Sequence, residues 1–321
     1  MSITKKCQIS GAEFIVRDED LEFYRKISPE IGGKIFEIPV PKLCPRERER
    51  RRLAYRNERV LYKTKSAFSG KEMISVFAPD TRFKIFTKDE WWSDDWDPPG
   101  KDFDFNRPFF EQFYELLLEV PRPPLINNKA HNSDYCNFAD GNKNCYMMTS
   151  ANWNEDSYYG FLVVNCRDCM EILWCVDSEL LYECTDCHSC YNISYSQRCS
   201  NCVDSMFLFD CKSLNNCAFC VNLRNKKYHI FNKPVSKGEF EKFRKEFAGN
   251  SEKYRKGVQK FQEFRAQFPV EAGHFVSCEN VSGDDIFNSQ NIHHGFDVYN
   301  SRDCAYLHDG LKGVDCFDIC F

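Results

Sequence analysis

The sequence predicts a mainly β fold: a parallel β-solenoid with coils of about 18 residues and an interior cysteine ladder, plus a small N-terminal α+β domain and an inserted helical segment. Three observations lead to this prediction. Thirteen cysteines between Cys136 and Cys220 share one three-residue register, which chance would give about once in half a million cases. The other members of that register are mostly small or apolar, so the register is expected to face a core. Nine-residue units also recur, and two units separate Cys166, Cys184, Cys202 and Cys220.

Length and composition fit a folded chain that is neither membrane-embedded nor strongly basic. The 321 residues are 42% hydrophobic, enough for a sizeable core in two or three structural units. No run of about 18 apolar residues occurs and the N-terminus lacks an apolar signal segment, so we expect no membrane association and a cytoplasmic location. The 19 cysteines fall below the roughly 8–10% content of disulfide scaffolds and should stay thiols in a reducing compartment. The net charge of -5 argues against a globally basic nucleic-acid binder.

Residues 1–125 are expected to form the small N-terminal domain, with a helix from Arg107 to Val120. Between Lys42 and Lys65 there are ten Lys or Arg residues and three Glu, whereas residues 89–104 hold seven acidic residues and one Lys. The two runs are expected to lie close together and neutralise each other. In the alternative, the arginines form a phosphate-binding strip. That strip would use Arg46, Arg48, Arg50, Arg51, Arg52, Arg56 and Arg59.

The rest of the chain is predicted to form three segments. Residues 126–228 hold the solenoid, and residues 274–321 continue it because the three-residue register returns there. Residues 229–273 interrupt it with a helical stripe of aromatic residues. Ser236 and Glu239 predict a capping box at the start of this segment, and Gly249 with Asn250 predicts a break within it.

The CxxC pairs within the cysteine register allow a second interpretation. Two of them, 18 residues apart, approach the spacing of a zinc ribbon and would suit a tetrahedral thiolate site. A zinc knuckle does not explain why the remaining cysteines keep the same register. We therefore expect a packing ladder with no metal or other cofactor. The zinc alternative would use Cys166, Cys169, Cys184 and Cys187.

Four segments carry a resemblance to a protein family: RRLAYRNERVLYK, WWSDDWDP, DFDFNRPFFEQF and CVNLRNKKYHIFNKPVSK. With them, nearly the whole chain resembles a group of uncharacterised, cysteine-rich bacterial repeat proteins, some of which carry the label CaiB/BaiF family. The resemblance implies an N-terminal zinc-ribbon-like region with four CxxC knuckles and no known activity. The matching positions here are Cys7/Ser10, Cys44/Glu47, Ser66/Ser69 and Thr87/Glu90. Because only Cys7 and Cys44 remain of eight cysteines, the resemblance implies a domain that has lost its zinc ions.

These features favour a non-enzymatic scaffold that presents a solenoid surface to a protein partner or to copies of itself. The aromatic residues expected to form a binding wall are Tyr146, Tyr158, Tyr159, Tyr182, Tyr191, Phe207 and Phe209. The first alternative is nucleic-acid binding through the arginine strip. The second is a β-helix enzyme acting on a glycan, which needs an acidic groove, whereas Asp168, Asp186 and Asp204 give only a row of carboxylates expected to cap turns. No catalytic residue is assigned, since the sequence shows no triad, phosphate loop or HExxH motif.

Overall fold

The computed structural model describes residues 2–53 and 57–320, and the chain divides into two compact units. One unit combines Met1–Arg56 with Val270–Phe321, and the other is Asn57–Pro269. Strands hold 42% of the residues and helices 19%, so the mainly β prediction is confirmed.

The first unit begins with two short antiparallel pairs and two helices. The elements are β1 (Ile3–Lys6), β2 (Glu13–Val16), α1 (Asp18–Ile27), β3 (Glu30–Ile31), β4 (Lys34–Ile35) and α2 (Pro45–Leu53). β1 pairs with β2, and β3 pairs with β4. The Asp20 carboxylate accepts the backbone N–H of Arg17 at 2.9 Å at the start of α1. The acidic first turn and basic last turn of α1 both complement the helix dipole.

The second unit starts with a hairpin and two helices. β5 (Tyr62–Lys65) pairs antiparallel with β6 (Glu72–Ser75), and α3 (Lys88–Trp91) and α4 (Phe109–Glu119) follow. α4 agrees with the helix predicted between Arg107 and Val120. No residue of α4 is buried.

Eleven strands of the second unit form one sheet in chain order. They are β7 (Asn127–Asn128), β8 (Asn137–Asp140), β9 (Thr149–Asn152), β10 (Tyr158–Val164), β11 (Met170–Val176), β12 (Glu179–His188), β13 (Tyr191–Ser200), β14 (Val203–Lys212), β15 (Asn215–Val221), β16 (Lys227–Ile230) and β17 (Lys233–Pro234). Neighbouring strands are parallel except β16 and β17, which are antiparallel. The sheet is therefore mostly parallel, as the sequence predicted.

Neighbouring strands pair twelve residues apart, so the predicted coil length of about 18 residues is wrong. Ile172 pairs with Cys184, and Cys187 pairs with Cys199. The error has a physical origin, because 12 and 18 are both multiples of three and a buried three-residue register is compatible with either. Likeness of side chains at a spacing of 18 is a property of the sequence, whereas the pairing is set by backbone hydrogen bonds. One of these joins the N–H of Glu179 to the carbonyl of Cys190 at 3.0 Å.

A three-residue conformational cycle underlies the buried register. Every third residue has a left-handed backbone, and φ is 53° at Asp168, 56° at Glu171 and 52° at Trp174. The residue that follows each of these three is buried. Asn and Asp tolerate this backbone better than other residues with a side chain. Their frequent presence at these positions is therefore a local signal of the fold.

The register that the sequence predicted to be buried is buried, and its cysteines are free thiols. Cysteine and serine make the same hydrogen bond there, since each donates to the carbonyl two residues earlier. Cys184 Sγ donates to Tyr182 at 3.4 Å, and Ser178 Oγ donates to Val176 at 2.9 Å. Ser178 Oγ also accepts the backbone N–H of Cys190 at 3.0 Å. Both side chains are small and bring their own donor into the core, which explains why they interchange in this register.

The helical segment predicted after the sheet is a hairpin of two helices, α5 (Lys237–Phe247) and α6 (Ser251–Arg265). The predicted capping box is confirmed. Ser236 Oγ accepts the N–H of Glu239 at 3.3 Å, and the Glu239 carboxylate accepts the N–H of Ser236 at 2.7 Å. The predicted break is confirmed as well, because the Asn250 side chain caps α6 by accepting the N–H of Lys253 at 3.0 Å.

A second sheet completes the first unit. Its strands are β18 (Phe275–Val276), β19 (Glu279–Phe287), β20 (Gln290–Tyr299), β21 (Arg302–Leu311) and β22 (Phe317–Cys320). All neighbouring strands in it are parallel. The pairing between β19 and β20 spans eleven residues before an irregularity at Val281/Gly283 and twelve after it. The buried register returns here as predicted, with Ile286, Ile292 and Val298 in one core cluster.

Candidate protein-interaction surface

The large sheet carries an apolar surface made of three columns of side chains, where a column is a set of residues twelve apart on successive repeats. In the downstream half, these columns hold buried residues that include Met206, Phe207 and Phe209. In the upstream half, the same columns hold exposed or half-buried aromatic and aliphatic side chains. We call this upstream set the aromatic face: Tyr135, Tyr146, Met147, Tyr158, Tyr159, Phe161, Met170, Leu173 and Tyr182.

The hairpin of α5 and α6 covers the downstream half of this surface. Phe247 and Phe261 pack with Phe207 and Phe219 in one buried cluster, and the Phe207 ring lies 6.0 Å from the rings of Phe247 and Phe261, centre to centre. The helix approaches closely at Gly257, where an added Cβ would lie 2.7 Å from the Phe207 ring. Each phenylalanine buried in this way contributes about 1.5–3 kcal/mol. The apolar columns thus form a seat for helices that carry phenylalanine.

A groove of about 380 Å³ lies in the upstream half, within the aromatic face. Its apolar lining includes Tyr135, Met147, Tyr159 and Phe161. The Arg59 guanidinium lies 4.8 Å from the centre of the Phe161 ring, a cation–π contact. Arg59, one of the arginines predicted to bind phosphate, therefore stacks on an aromatic ring of the sheet.

A second exposed apolar surface lies on α4 and the segment before it. Phe105 is 90% exposed and Phe110 is 79% exposed. The rings contact one another, and Phe109 and Phe113 stack with their centres 5.7 Å apart. Exposed aromatic groups this concentrated mark interaction sites in soluble proteins. We call this set the α4 cluster: Phe103, Phe105, Phe109, Phe110, Phe113 and Tyr114.

The predicted binding wall is confirmed in part by the exposure of its residues. Tyr158, Tyr159, Tyr182 and Tyr191 are exposed, and Tyr146 is half-buried. The prediction is wrong for Phe207 and Phe209, which are buried. These two residues occupy outward positions of the repeat, but the hairpin covers them.

The structure does not align the predicted arginines as one phosphate-binding strip. Arg48 Nε and Arg52 Nη1 lie 3.1 and 3.5 Å from the Asp318 carboxylate. Arg50 pairs with a glutamate of its own helix at 2.8 Å. Arg56 lies outside the described residues. These ion pairs hold arginines of α2 against carboxylates that do not belong to the acidic run at 89–104.

Two arginines of α2 remain open to solvent. Arg46 and Arg51 are exposed, and neither makes an ion pair within the described part of the chain. Arg46 lines an open cleft of about 450 Å³ together with His294, Tyr306 and other residues of the first unit. The rings of His294 and Tyr306 stack with their centres 5.8 Å apart. This contact gives His294 a partner that the sequence did not reveal.

The four cysteines of the zinc alternative lie in the core of the large sheet. Cys166, Cys169, Cys184 and Cys187 are all buried. Among the described residues, no three cysteine sulfurs lie within 4.8 Å of one another. Burial raises the pKa of Cys187, which opposes the deprotonation that a metal ligand needs. Zinc at these cysteines stays a prediction for metal analysis to test.

The positions that resemble zinc knuckles are linked by hydrogen bonds. Cys7 and Cys44 are buried, and Ser10 Oγ lies 3.8 Å from Cys44 Sγ. In the second unit, Ser66 Oγ donates to the Glu90 carboxylate at 2.5 Å. Burial opposes the ionisation of Glu90, but hydrogen bonds from Ser66 and its neighbours outweigh it and lower the pKa of Glu90 to about 2. A charged carboxylate with several donors thus occupies a position where the resemblance implies a cysteine.

The aspartates that recur every 18 residues do not stack, because column partners are twelve apart. Asp168, Asp186 and Asp204 each have a left-handed backbone. Asp204 Oδ1 instead accepts from Asn192 Nδ2 at 2.6 Å, and Asn192 precedes it by twelve residues. Asn and Asp at that spacing were the sequence signal for the true register. The row of carboxylates considered for a glycan enzyme is not formed by these three residues.

Comparisons with known proteins add no relative. No protein-family model, no curated protein and no solved structure matches the chain. Across the described residues, every helix is too short or too polar to traverse a bilayer. The function therefore has to be argued from the residues themselves.

Proposed function

We propose that this protein is a non-enzymatic scaffold that binds protein through the aromatic face of a parallel β-solenoid. One observation carries the proposal: the apolar columns of the large sheet are covered by α5 and α6 downstream and open to solvent upstream. Aromatic side chains around a groove are common anchors of protein–protein contacts. The proposal gives the open half of the surface a partner.

In this proposal, the large sheet winds as a solenoid with twelve-residue coils of four triplets each. The twelve-residue pairing through successive strands supports it, as does the single buried residue of each triplet. One interior ladder would be formed by Cys175, Cys187, Cys199 and Cys211, which pair strand to strand. The proposed location is the cytoplasm, because buried free thiols suit a compartment that keeps cysteines reduced.

A binding experiment with paired variants tests the proposed function. Met147→Glu with Tyr159→Glu places charge on the aromatic face, and Leu311→Glu places charge at a 68% exposed position in the first unit. Tagged wild-type protein and both variants are compared by quantitative mass spectrometry of retained proteins and by sedimentation of the purified chains.

We expect the wild type to hold a protein partner or a second copy. The face variant should lose that partner by about tenfold or more, whereas Leu311→Glu should keep it. The same bound proteins and the same mass for all three chains would overturn the proposed function.

A second candidate function, nucleic-acid binding, rests on the exposed and unpaired Arg46 and Arg51. Binding of a single-stranded oligonucleotide is measured across salt concentrations. Affinity should fall steeply with salt, and Arg46→Gln should reduce the slope by about one. Absence of binding at about 50 mM salt would remove this candidate.

A further inference from the structure

Two apolar surfaces of the second unit have no cover within the described part of the chain. One is the groove of the aromatic face, where Tyr135, Met147 and Tyr159 are exposed. The other is the α4 cluster, whose most exposed members are Phe105 and Phe110. Both surfaces are aromatic, and both belong to every copy of the chain.

The groove continues the surface that α5 and α6 already cover. Phe207 and Tyr195 share a column, and their rings stack with centres 5.1 Å apart. The same column continues upstream through polar Glu183 and Glu171 to Tyr159, Met147 and Tyr135, of which Glu171 and the last three line the groove. The groove is therefore the seat of the hairpin, repeated four coils earlier along one sheet and left empty.

α4 has the features of the helices that fill this seat. α5 places Phe240, Phe243 and Phe247 along one stripe and packs them on the sheet. α4 places Phe109 and Phe113 one turn apart, with stacked rings. Its Glu115 is held by Arg107, so part of the charge of the helix is already satisfied within the chain.

We propose that the aromatic face binds a second copy of this chain by taking the α4 cluster of that copy into its groove. The inference rests on the proposed function and names its partner. Continuity with the hairpin seat fixes the occupant as a helix bearing phenylalanine, and α4 is such a helix with no buried residue. Two copies joined by a twofold axis would each insert α4 into the groove of the other, so both surfaces would be covered at once.

Complementary variants test this contact in the full chain. Phe110→Glu with Phe113→Glu disables the α4 cluster, Met147→Glu with Tyr159→Glu disables the groove, and Leu311→Glu is the control. Sedimentation velocity measures the mass of each chain, alone and mixed, at roughly 1–100 μM. Circular dichroism melts check folding, and alanine at the same four positions replaces glutamate in any variant that fails to fold.

The wild type and the Leu311→Glu control should rise from 37.8 kDa toward twice that mass with concentration. Each double variant alone should associate at least about tenfold more weakly. An equimolar mixture of the two double variants should form a 1:1 complex, because one intact α4 cluster meets one intact groove.

Three outcomes would overturn the inference or more. A wild-type dimer whose double variants do not complement each other would place the contact elsewhere. A monomeric wild type that retains another protein, lost only in the groove variant, would leave the proposed function standing and overturn the self-association. A monomeric wild type with no partner at the groove would overturn both.

Discussion

At the scale of single residues, the left-handed backbone at every third position is the most demanding feature of the fold. For an L-residue it costs roughly 1–2 kcal/mol, and Asn and Asp lower that cost. They also bond to each other between repeats, as Asn165 Nδ2 does with Asp177 Oδ1 at 2.7 Å. Trp174 and Tyr159 adopt the same backbone without this help. Packing of the neighbouring buried residue has to hold them in place.

The buried register makes a prediction about thiol chemistry. All cysteines except Cys278, Cys316 and Cys320 are buried, and burial raises the pKa of Cys211 to about 12. Since the thiolate is the reactive form, native protein at pH 8 should show at most three thiols that react quickly with a disulfide reagent. The remainder should react only after unfolding.

The measurement is a timed thiol count before and after denaturant, with metal analysis of the same samples. Rapid reaction of most thiols in native protein would contradict the buried ladder. Stoichiometric zinc, released as the slow thiols react, would favour the metal alternative.

Asp297 gives a prediction about pH. Burial, reinforced by Asp309 and Asp285, raises the pKa of Asp297 to about 6, and His308 at 4.0 Å opposes the shift. A folded-state pKa above the unfolded value of about 3.9 means that folding favours the protonated carboxyl. Its contribution to stability is therefore fully present below about pH 4 and is lost as the pH rises through about 6.

The variant Asp297→Asn should raise the free energy of unfolding at pH 8 by on the order of 1–3 kcal/mol and change it little at pH 4. Denaturant titrations at the two pH values measure the difference. An equal change at both pH values would show that the effect comes from packing and not from ionisation.

At the scale of secondary-structure elements, local signals predicted what local hydrogen bonds decide. The cap at Ser236 and the break at Asn250 are within a few residues of the groups they bond, so the sequence shows them directly. The stripe of α4 predicted a helix correctly, but it could not show that the helix stays uncovered. Burial of a stripe depends on what else folds against it.

The irregularity in β19 predicts a strict requirement for glycine. Gly283 has φ of 135°, and a Cβ there would lie 1.7 Å from the carbonyl oxygen of Gly295. Gly283→Ala should lower the free energy of unfolding by about 3 kcal/mol or more, since neither the backbone angle nor the space suits a side chain.

Gly238→Ala is the matched control, because Gly238 lies in α5 with no atom near its missing Cβ. It should raise stability by about 0.5–1 kcal/mol. Chemical denaturation of both variants checks the pair. Tolerance of alanine at Gly283 would mean that β19 and β20 lie further apart than in the structure.

At the scale of the whole molecule, the spacing between repeats can be tested by energetic coupling. Asn165 and Asp177 are twelve apart and share a hydrogen bond, whereas Asn165 and Glu183 are 18 apart. Double-mutant cycles to alanine should give a coupling of about 0.5–1 kcal/mol for the first pair and almost none for the second. The reverse order would restore the 18-residue coil.

The sequence by itself determined the buried three-residue register, the mainly β character and the capped helical hairpin. Each depends on backbone periodicity or on bonds between near neighbours, and both are written into a short stretch of chain. Only the tertiary structure decided the twelve-residue pairing, because any multiple of three satisfies the register and backbone hydrogen bonds choose among them. It also decided that Arg48 and Arg52 pair with Asp318 near the opposite end of the chain, and that helices cover one half of the apolar surface and leave the other open. Such choices depend on which distant segments meet, and no local pattern carries that information.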